Sequence, residues 1–245
     1  MKECSKSIPR RMRDPSFVNQ YFVGRGLDIG GKPDPLALYR ELFCHMGEVT
    51  TWDWEEGDAQ FLAGVHDEEF DFVHSSHCLE HLVDPHEGLQ NWFRVLRPGG
   101  HLIVTVPDED LYEQGVFPST FNRDHKWTFT TLKARSWSNR SINVLDLVSE
   151  LGESADPVRM ELLSATYRFS LPRYDQTLTP IGESSIEFVV RKRMTEEISA
   201  GGIRTRATTQ PDHEMRVHLN QYRNDLETLK HANENAPPFS NDSEL

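Results

Sequence analysis

Hydrophobic and polar residues follow one another along the chain in blocks that predict strands and helices in turn. Four short apolar or β-branched runs predict strands, at residues 25–31, 48–54, 70–76 and 101–107. Residues 34–47 and 84–97 instead place apolar side chains at helical spacing, and the second segment begins at an Asp-Pro start signal and ends at Pro98-Gly99-Gly100. Strands that alternate with helices of this length predict parallel β-α-β units.

The second half of the chain continues this pattern less regularly. Residues 108–127 lack periodicity and predict a long loop, which in a compact domain usually has a function. A helix within 142–152 and strands near 158–169 and 185–193 complete the domain. We therefore expect an α/β domain over residues 1–194, with a mostly parallel sheet flanked by helices.

The character of the chain changes after Met194. Residues 195–210 are polar and contain glycine, which predicts a linker. Apolar residues then recur at alternating spacings of four and three over about two heptads, at Met215, Leu219, Tyr222, Leu226 and Leu229. Such a helical extension could pack on its own domain or form a homodimer contact. Residues 234–245 have the composition of a disordered tail.

Charge and composition exclude several classes of function. The net charge of −13 argues against a nucleic-acid backbone or an anionic membrane as the main partner, because like charges repel. No stretch approaches the roughly 18 apolar residues that span a bilayer, and no apolar run follows the basic start. The three cysteines are irregularly spaced, which makes a disulfide framework unexpected. These features predict a cytoplasmic protein.

A glycine turn and an acidic strand end suggest a nucleoside-binding site. The first strand ends in Asp28-Ile29-Gly30-Gly31, and Asp53 ends the next strand. Glycines let a backbone approach a ligand closely, and an acidic residue at the neighbouring strand end can bond ribose hydroxyls. The G-x-G-x-x-G fingerprint of nicotinamide binding is absent, so a different nucleoside cofactor is indicated.

Five motifs in order carry a family resemblance. They read "GLDIGG", "WDW", "GDAQ", "FDFVHSSHCLEHL" and "FRVLRPGGHLIVTVP", between Gly26 and Asp108. This order resembles the class I S-adenosylmethionine (SAM)-dependent methyltransferases, particularly compact ones that act on small molecules. The resemblance implies a Rossmann-like sheet, SAM as cofactor, and residues 1–194 as the methyltransferase domain. Two departures are that Lys32 replaces the second motif glycine and that only three residues separate Asp53 from "GDAQ", which implies a trimmed crossover after the second strand.

The resemblance also implies roles for individual residues. Asp28, Gly30 and Gly31 would line the methionine part of SAM. Asp53 would accept hydrogen bonds from the ribose hydroxyls, and Trp54 could lie along the adenine. Asp58 would accept from the adenine amino group, with Ala59 and Gln60 near the adenine. The whole set implied to bind the cofactor is Asp28, Gly30, Gly31, Asp53, Trp54, Asp58, Ala59, Gln60, Ser75, Ser76 and His77.

Residues 74–86 contain four histidines, and part of this stretch spells H-x-x-E-H. That spacing, with His77, Glu80 and His81, occurs in one class of zinc peptidases. A peptidase site needs both histidines on a regular helix, and the flanking sequence leaves room for barely one helical turn. We therefore expect no metal, and a zinc hydrolase remains a minor alternative.

The predicted catalytic residue is His125, within the stretch "FNRDHKWTFT". A free imidazole has a pKa of about 6.5, which suits a general base at neutral pH, and Asp124 or Asp108 could orient it. With the resemblance, this predicts methyl transfer to a small-molecule or saccharide acceptor, with O-methylation favoured over N-methylation. The alternative is a non-enzymatic protein of the same fold that binds a partner through its C-terminal helix.

Overall fold

The computed structural model describes residues 3–204, together with residues 231 and 234. The strands are β1 (Gly24–Ile29), β2 (Met46–Trp52), β3 (Phe70–Ser76), β4 (Leu96–Pro107), β5 (Thr128–Thr130), β6 (Ser141–Asn143), β7 (Ala155–Leu163) and β8 (Ser185–Lys192). The α-helices are α1 (Glu3–Arg11), α2 (Pro85–Arg94), α3 (Val144–Ser149) and α4 (Thr195–Ser199). Short 3₁₀ or π-helical turns lie at Phe17–Tyr21, Leu36–Leu42, Leu79–His81, Glu109–Glu113 and Gln176–Leu178.

Six strands form the main sheet within the described range, in the order β2-β1-β3-β4-β8-β7. The pairs from β2 to β4 are parallel, whereas β8 runs antiparallel to both β4 and β7. The predicted Rossmann-like, mostly parallel sheet is therefore confirmed. Residues 53–69 form turns without a helix or strand, so the crossover between β2 and β3 is indeed trimmed.

Apolar residues cover both faces of this sheet. One core contains Leu89, Trp92 and Phe93 of α2, which pack on the sheet together with α3. Helix α2 begins at this position because Asp84 caps it by accepting from the amides of His86 and Glu87. The opposite face carries a second core, in which Phe72 of β3 packs against apolar side chains from earlier in the chain: Phe17, Tyr21, Phe22, Leu36 and Phe43.

Helix α1 was not predicted from the sequence. It contributes Cys4 and Ile8 to the second core and places the buried Arg11 against the sheet. The composition shows its basic residues only as positive charge near the beginning of the chain, but in the structure two of them form ion pairs inside the fold. Arg10 and Arg11 both form ion pairs with Glu187 of β8.

Two predicted elements differ in the structure. The predicted helix at 34–47 is only the 3₁₀ turn Leu36–Leu42, because β2 already begins at Met46; Leu38, part of the apparent apolar stripe, is 68% exposed. Residues 195–199, predicted as linker, form helix α4, whose Glu197 pairs with Arg191 at 2.6 Å.

The predicted C-terminal helix and tail lie outside the described residues. The compact unit of the chain ends at Arg204. Among the residues that the structure describes, no helix combines the length and the apolar character required to cross a bilayer.

Candidate active site

The carboxyl ends of β1, β2 and β3 meet at one edge of the sheet. Asp28 of β1 is in register with Thr51 of β2 and with His74 of β3. Ligands of open α/β sheets bind outside this edge, where the turns after the strands leave a crevice. An inner cavity of about 210 Å³ and an outer cavity of about 510 Å³ open here, and Gly30 and His77 line both.

Most of the predicted cofactor residues line these cavities. The inner cavity is lined by Asp28, Gly30, Gly31, Ser76 and His77, and the outer one by Gly30, Asp53, Trp54, Asp58, Ala59, Gln60 and His77. Ser75 is fully buried, and its hydroxyl donates to the carbonyl of Ile29 at 3.1 Å, so it supports the strand. His125 is also buried and lies behind His81, with ring centroids 5.0 Å apart.

The turn after β1 requires glycine at two successive positions. Gly30 has a φ of +70°, and its amide donates to the carbonyl of Trp52 at 2.8 Å. A Cβ atom at Gly30 would lie 2.8 Å from the Cβ of Cys78, and one at Gly31 would lie 2.3 Å from Oδ2 of Asp28. Any side chain would therefore displace the turn from the floor of the cavities.

Asp53 is held at the wall of the outer cavity by backbone donors. Its carboxylate accepts from the amides of Lys32 at 3.0 Å and Trp54 at 2.9 Å. The Lys32 ammonium, which could have reached toward a cofactor carboxylate, pairs with Glu55 at 2.7 Å on the surface. The side chain of Trp54 is 90% exposed, so the predicted contact with adenine would need the indole to fold inward.

The rest of the outer cavity combines apolar walls with one further carboxylate. Trp52, Leu82 and Val83 line it, and the exposed Asp58 stands beside them. Gln60 is buried: its amide donates to Glu87 at 2.6 Å, and its oxygen accepts from a backbone amide of the α2 cap at 2.9 Å. Gln60 therefore fixes the loop to α2, and its predicted contact with adenine is not evident from its position.

A buried histidine links the glycine turn to helix α1. His74 Nε2 lies 3.0 Å from the Arg11 guanidinium, which can only donate, so Nε2 is the acceptor. Nδ1 then carries the proton and donates to Asp28 Oδ1 at 2.6 Å. Burial lowers the pKa of His74, which outweighs the opposite effect of Asp28 and keeps the ring neutral. Asp28 also accepts from the amide of Leu36 at 2.7 Å, so both oxygens are fixed.

The H-x-x-E-H stretch forms a compact cluster instead of a ligand helix. Leu79–His81 is a single 3₁₀ turn, so the regular helix of a zinc peptidase is not formed. The Glu80 side chain is fully buried, and its Oε1 lies 3.3 Å from His77 Nδ1 and 3.9 Å from Nε2 of both His81 and His125. Burial opposes ionisation of Glu80, but the neighbouring imidazoles hold its pKa at about 2.

Carboxylates outside this cluster orient two of its histidines. His125 Nδ1 contacts Glu113 Oε1 at 2.8 Å, and His81 Nδ1 contacts Asp124 Oδ2 at 3.0 Å. The prediction that Asp124 or Asp108 orients His125 was therefore wrong. Asp108 instead caps the π-helical turn that follows it, and Asp124 contacts His81.

Comparison with known proteins agrees with this geometry. Residues 26–104 match the family described as "Methyltransferase domain", and this segment runs from within β1 to within β4. It therefore includes the glycine turn, Asp53 and the H-x-x-E-H stretch. The match covers about a third of the chain and contains both the turn after β1 and the end of β2. No protein of curated function matches the sequence.

Several solved structures are similar to this chain. A SAM-dependent methyltransferase from Archaeoglobus fulgidus is 18% identical, with a TM-score of 0.47 over 78% of this chain and 95% of that chain. One from Aquifex aeolicus is 13% identical, with a TM-score of 0.43 over 76% and 97%. A phosphoethanolamine N-methyltransferase from Haemonchus contortus, in complex with phosphomonomethylethanolamine and S-adenosylhomocysteine, is 16% identical, with a TM-score of 0.47 over 76% and 53%.

The walls of the two cavities fit SAM, the cofactor that the sequence predicts, in their chemistry. The outer cavity offers apolar surfaces to a purine and the carboxylates of Asp53 and Asp58 to hydroxyl and amino donors. Its volume of about 510 Å³ lies within the range of small-molecule sites, roughly 300–1,000 Å³. The inner cavity adjoins it past Gly30 and His77, where the remainder of an extended ligand would continue.

Three residues of this site were not predicted from the sequence. Arg11 and His74 determine the position of Asp28, and Glu113 orients His125. His74 stands inside a motif that was recognised, so its burial was the only missing information. Arg11 and Glu113 had no local signal, because their partners are distant in sequence.

Proposed function

We propose that this protein is a SAM-dependent methyltransferase that methylates a hydroxyl oxygen of a small, polar, sugar-like acceptor. The observation that carries this proposal is the histidine cluster where the two cavities adjoin. His81 lines both cavities and is held by Asp124, with Glu80 and His125 behind it. A hydroxyl acceptor must lose a proton during transfer, whereas a carboxylate need not and an amine must only be neutral. A cluster that accepts or withdraws a proton is therefore most useful to a hydroxyl.

The size and polarity of the inner cavity support a small acceptor. It is about 210 Å³ in volume, and Glu3, Asp34 and Asn122 add polar groups to its wall. Such a lining favours a compact molecule that forms several hydrogen bonds over a large apolar one. We assign the acceptor to this cavity, next to the sulfonium end of the cofactor.

The cofactor roles follow from the same placement. In this proposal Asp53 binds the ribose hydroxyls, Asp58 faces the adenine amino group, and the Gly30-Gly31 turn lies against the methionine part. SAM supplies an activated methyl group, and the protein holds the acceptor in line with it. Positioning of this kind can contribute about 7–11 kcal/mol to lowering the barrier.

His125 takes a different role from the predicted one. It is 5% exposed and lines neither cavity, so direct contact with an acceptor would require rearrangement. In this proposal it positions Glu80 and His81, and the residue nearest the acceptor is His81.

The test is methyl transfer from isotopically labelled SAM to three panels of small molecules: monosaccharides and polyols, primary amines, and carboxylic acids. We expect labelled methyl ethers, which survive mild alkali, from the hydroxyl panel. Asp53→Ala serves as the cofactor-binding control and should abolish the product. Transfer only to amines or acids, or no transfer to any small hydroxyl compound while the cofactor binds, would contradict the proposal.

A further inference from the structure

Three ligand atoms converge on one point beside the cavities. They are Oε1 of Glu80, Nε2 of His81 and Nε2 of His125, and they lie within 4.8 Å of one another. Glu80 Oε1 is 3.9 Å from each of the two imidazole nitrogens. Two imidazoles and one carboxylate are a common ligand set for divalent transition metals.

The outer carboxylates fix the histidines in the tautomer that a metal requires. Glu113 accepts from Nδ1 of His125, and the backbone carbonyl of Asp124 accepts from Nδ1 of His81 at 3.3 Å, with the Asp124 carboxylate 3.0 Å away. With Nδ1 engaged in this way, Nε2 of each ring is the nitrogen left on the side of Glu80. Histidine ligands of metals typically donate their other ring nitrogen to a carboxylate in this manner.

Glu80 gives an independent reason to expect a cation. Its side chain is fully buried, and neither carboxylate oxygen has a hydrogen-bond partner among the described residues. His77 Nδ1 approaches Oε1 to 3.3 Å, without the geometry of a hydrogen bond. A buried carboxyl group whose oxygens lack hydrogen bonds is costly, and a metal ion at the common point would supply the missing partner.

We propose that Glu80, His81 and His125 bind a divalent first-row transition metal ion, with Zn²⁺ as the first to be tested. Metal–ligand bonds of about 2.0–2.1 Å would bring tetrahedral ligand atoms to about 3.3 Å from one another. The two distances from Glu80 Oε1, 3.9 Å each, would then shorten by roughly half an ångström, and the two imidazole nitrogens, which lie within 4.8 Å of each other, would also move together. The His81 side chain is 24% exposed and lines both cavities, which gives the ion a route of entry.

This site differs from the one considered in the sequence. The H-x-x-E-H spacing suggested His77 and His81 as ligands with Glu80 as a base, and led us to expect no metal. The structure instead turns Glu80 toward the ligand point and supplies His125 as the third ligand.

Three protein ligands would leave coordination positions of the ion unfilled, and His81 connects the ligand point to the inner cavity. An acceptor hydroxyl bound there would be held in place and made more acidic. This role rests on the proposed function, whereas metal binding does not.

The experiment uses the full chain, stripped with a chelator and titrated calorimetrically with Zn²⁺, while Co²⁺ binding is followed by visible absorption. We expect one ion per chain. Glu80→Gln and His81→Ala should weaken binding by more than about 100-fold, and Glu113→Gln, which acts through His125, by about 10–100-fold. His86→Ala is the matched control and should bind normally, because His86 is a surface histidine paired with Glu150.

Each variant is also titrated with S-adenosylhomocysteine, so that a folding defect is distinguished from the loss of a ligand. Absence of metal binding in a wild-type chain that binds this product, or equal Zn²⁺ affinity in wild type and Glu80→Gln, would overturn the site. A His125→Gln variant that keeps the Co²⁺ spectrum would do the same. Metal binding without methyl transfer to hydroxyls would count against the proposed function and leave the metal site standing.

Discussion

The ion cluster that attaches helix α1 to the sheet should make the stability of the protein sensitive to acid. Glu187 is fully buried and accepts from Arg11 at 2.6 and 3.0 Å and from Arg10 at 2.7 Å. Arg11 is itself fully buried. Removing one partner of such a pair leaves an uncompensated buried charge, which typically costs about 3–5 kcal/mol. We therefore expect Glu187→Gln to lower the free energy of unfolding at pH 7 by about that amount.

The dependence on pH gives a second estimate. Burial opposes ionisation of Glu187, but Arg11 and Arg10 lower its pKa from 4.5 to about 2. A depressed carboxylate pKa contributes stability that is fully present above pH 4.5 and is lost as the pH falls toward 2. The shift corresponds to about 3 kcal/mol, in line with the cost of breaking the pair.

Urea unfolding of wild type and Glu187→Gln at pH 7, 5 and 3 would test both estimates. With a denaturant slope of about 1–3 kcal/mol/M, the variant midpoint at pH 7 should fall by about 1 M or more. The difference in unfolding free energy between wild type and variant should become smaller below pH 4.5, because only the wild type has this carboxylate to protonate. Glu48→Gln, at an exposed glutamate of β2, controls for the change of charge. Equal unfolding free energies of wild type and Glu187→Gln at pH 7 would refute the reasoning. The same dependence of unfolding free energy on pH in both proteins would also refute it.

Two further predictions concern cofactor binding. In Gly31→Ala the new Cβ would lie 2.3 Å from Asp28 Oδ2, and that carboxylate is fixed by two hydrogen bonds. Calorimetry should therefore show S-adenosylhomocysteine binding at least about 10-fold weaker, and urea unfolding should show a free energy of unfolding lower by about 1–3 kcal/mol. Unchanged affinity and stability would mean that the turn can move to accept the methyl group. Asp53→Ala should abolish micromolar binding of the same ligand. Trp54→Ala removes an indole that is 90% exposed, and it should change the affinity less than about 3-fold. Equal losses of affinity in the two variants would show that the indole folds onto the adenine.

The strands around the site could be predicted because their signals are local. The run that became β3 is apolar and short, and its end at Ser76 is followed directly by the histidine cluster. The glycine turn after β1 is equally local, since Gly30 and Gly31 satisfy a backbone requirement that the sequence displays. For the same reason the trimmed crossover after Asp53 was visible as a short spacing.

The features that could not be predicted depend on distant partners. Nothing near Arg11 indicates that it meets Glu187, and nothing near His125 indicates Glu113 rather than Asp124 as its partner. The helix predicted at residues 34–47 was wrong for another reason. The apolar spacing of this segment fits a helix, but its last residues form the beginning of β2. Hydrophobic spacing identifies what a segment could form, and the sheet determines what it does form.

The attachment of α1 to β8 has a consequence for the order in which the chain folds during synthesis. Arg11 and Glu187 are 176 residues apart, and Lys6 bonds the carbonyl of Thr177 across a similar span. At about 5–20 residues per second, a ribosome needs roughly 10–35 s to make the intervening chain. During that interval the first helix is made but its binding site on the sheet is not. The beginning of the chain is therefore among the last parts to reach its final place, and the floor of the cofactor site around Asp28 and His74 is completed only after the final strand has been translated.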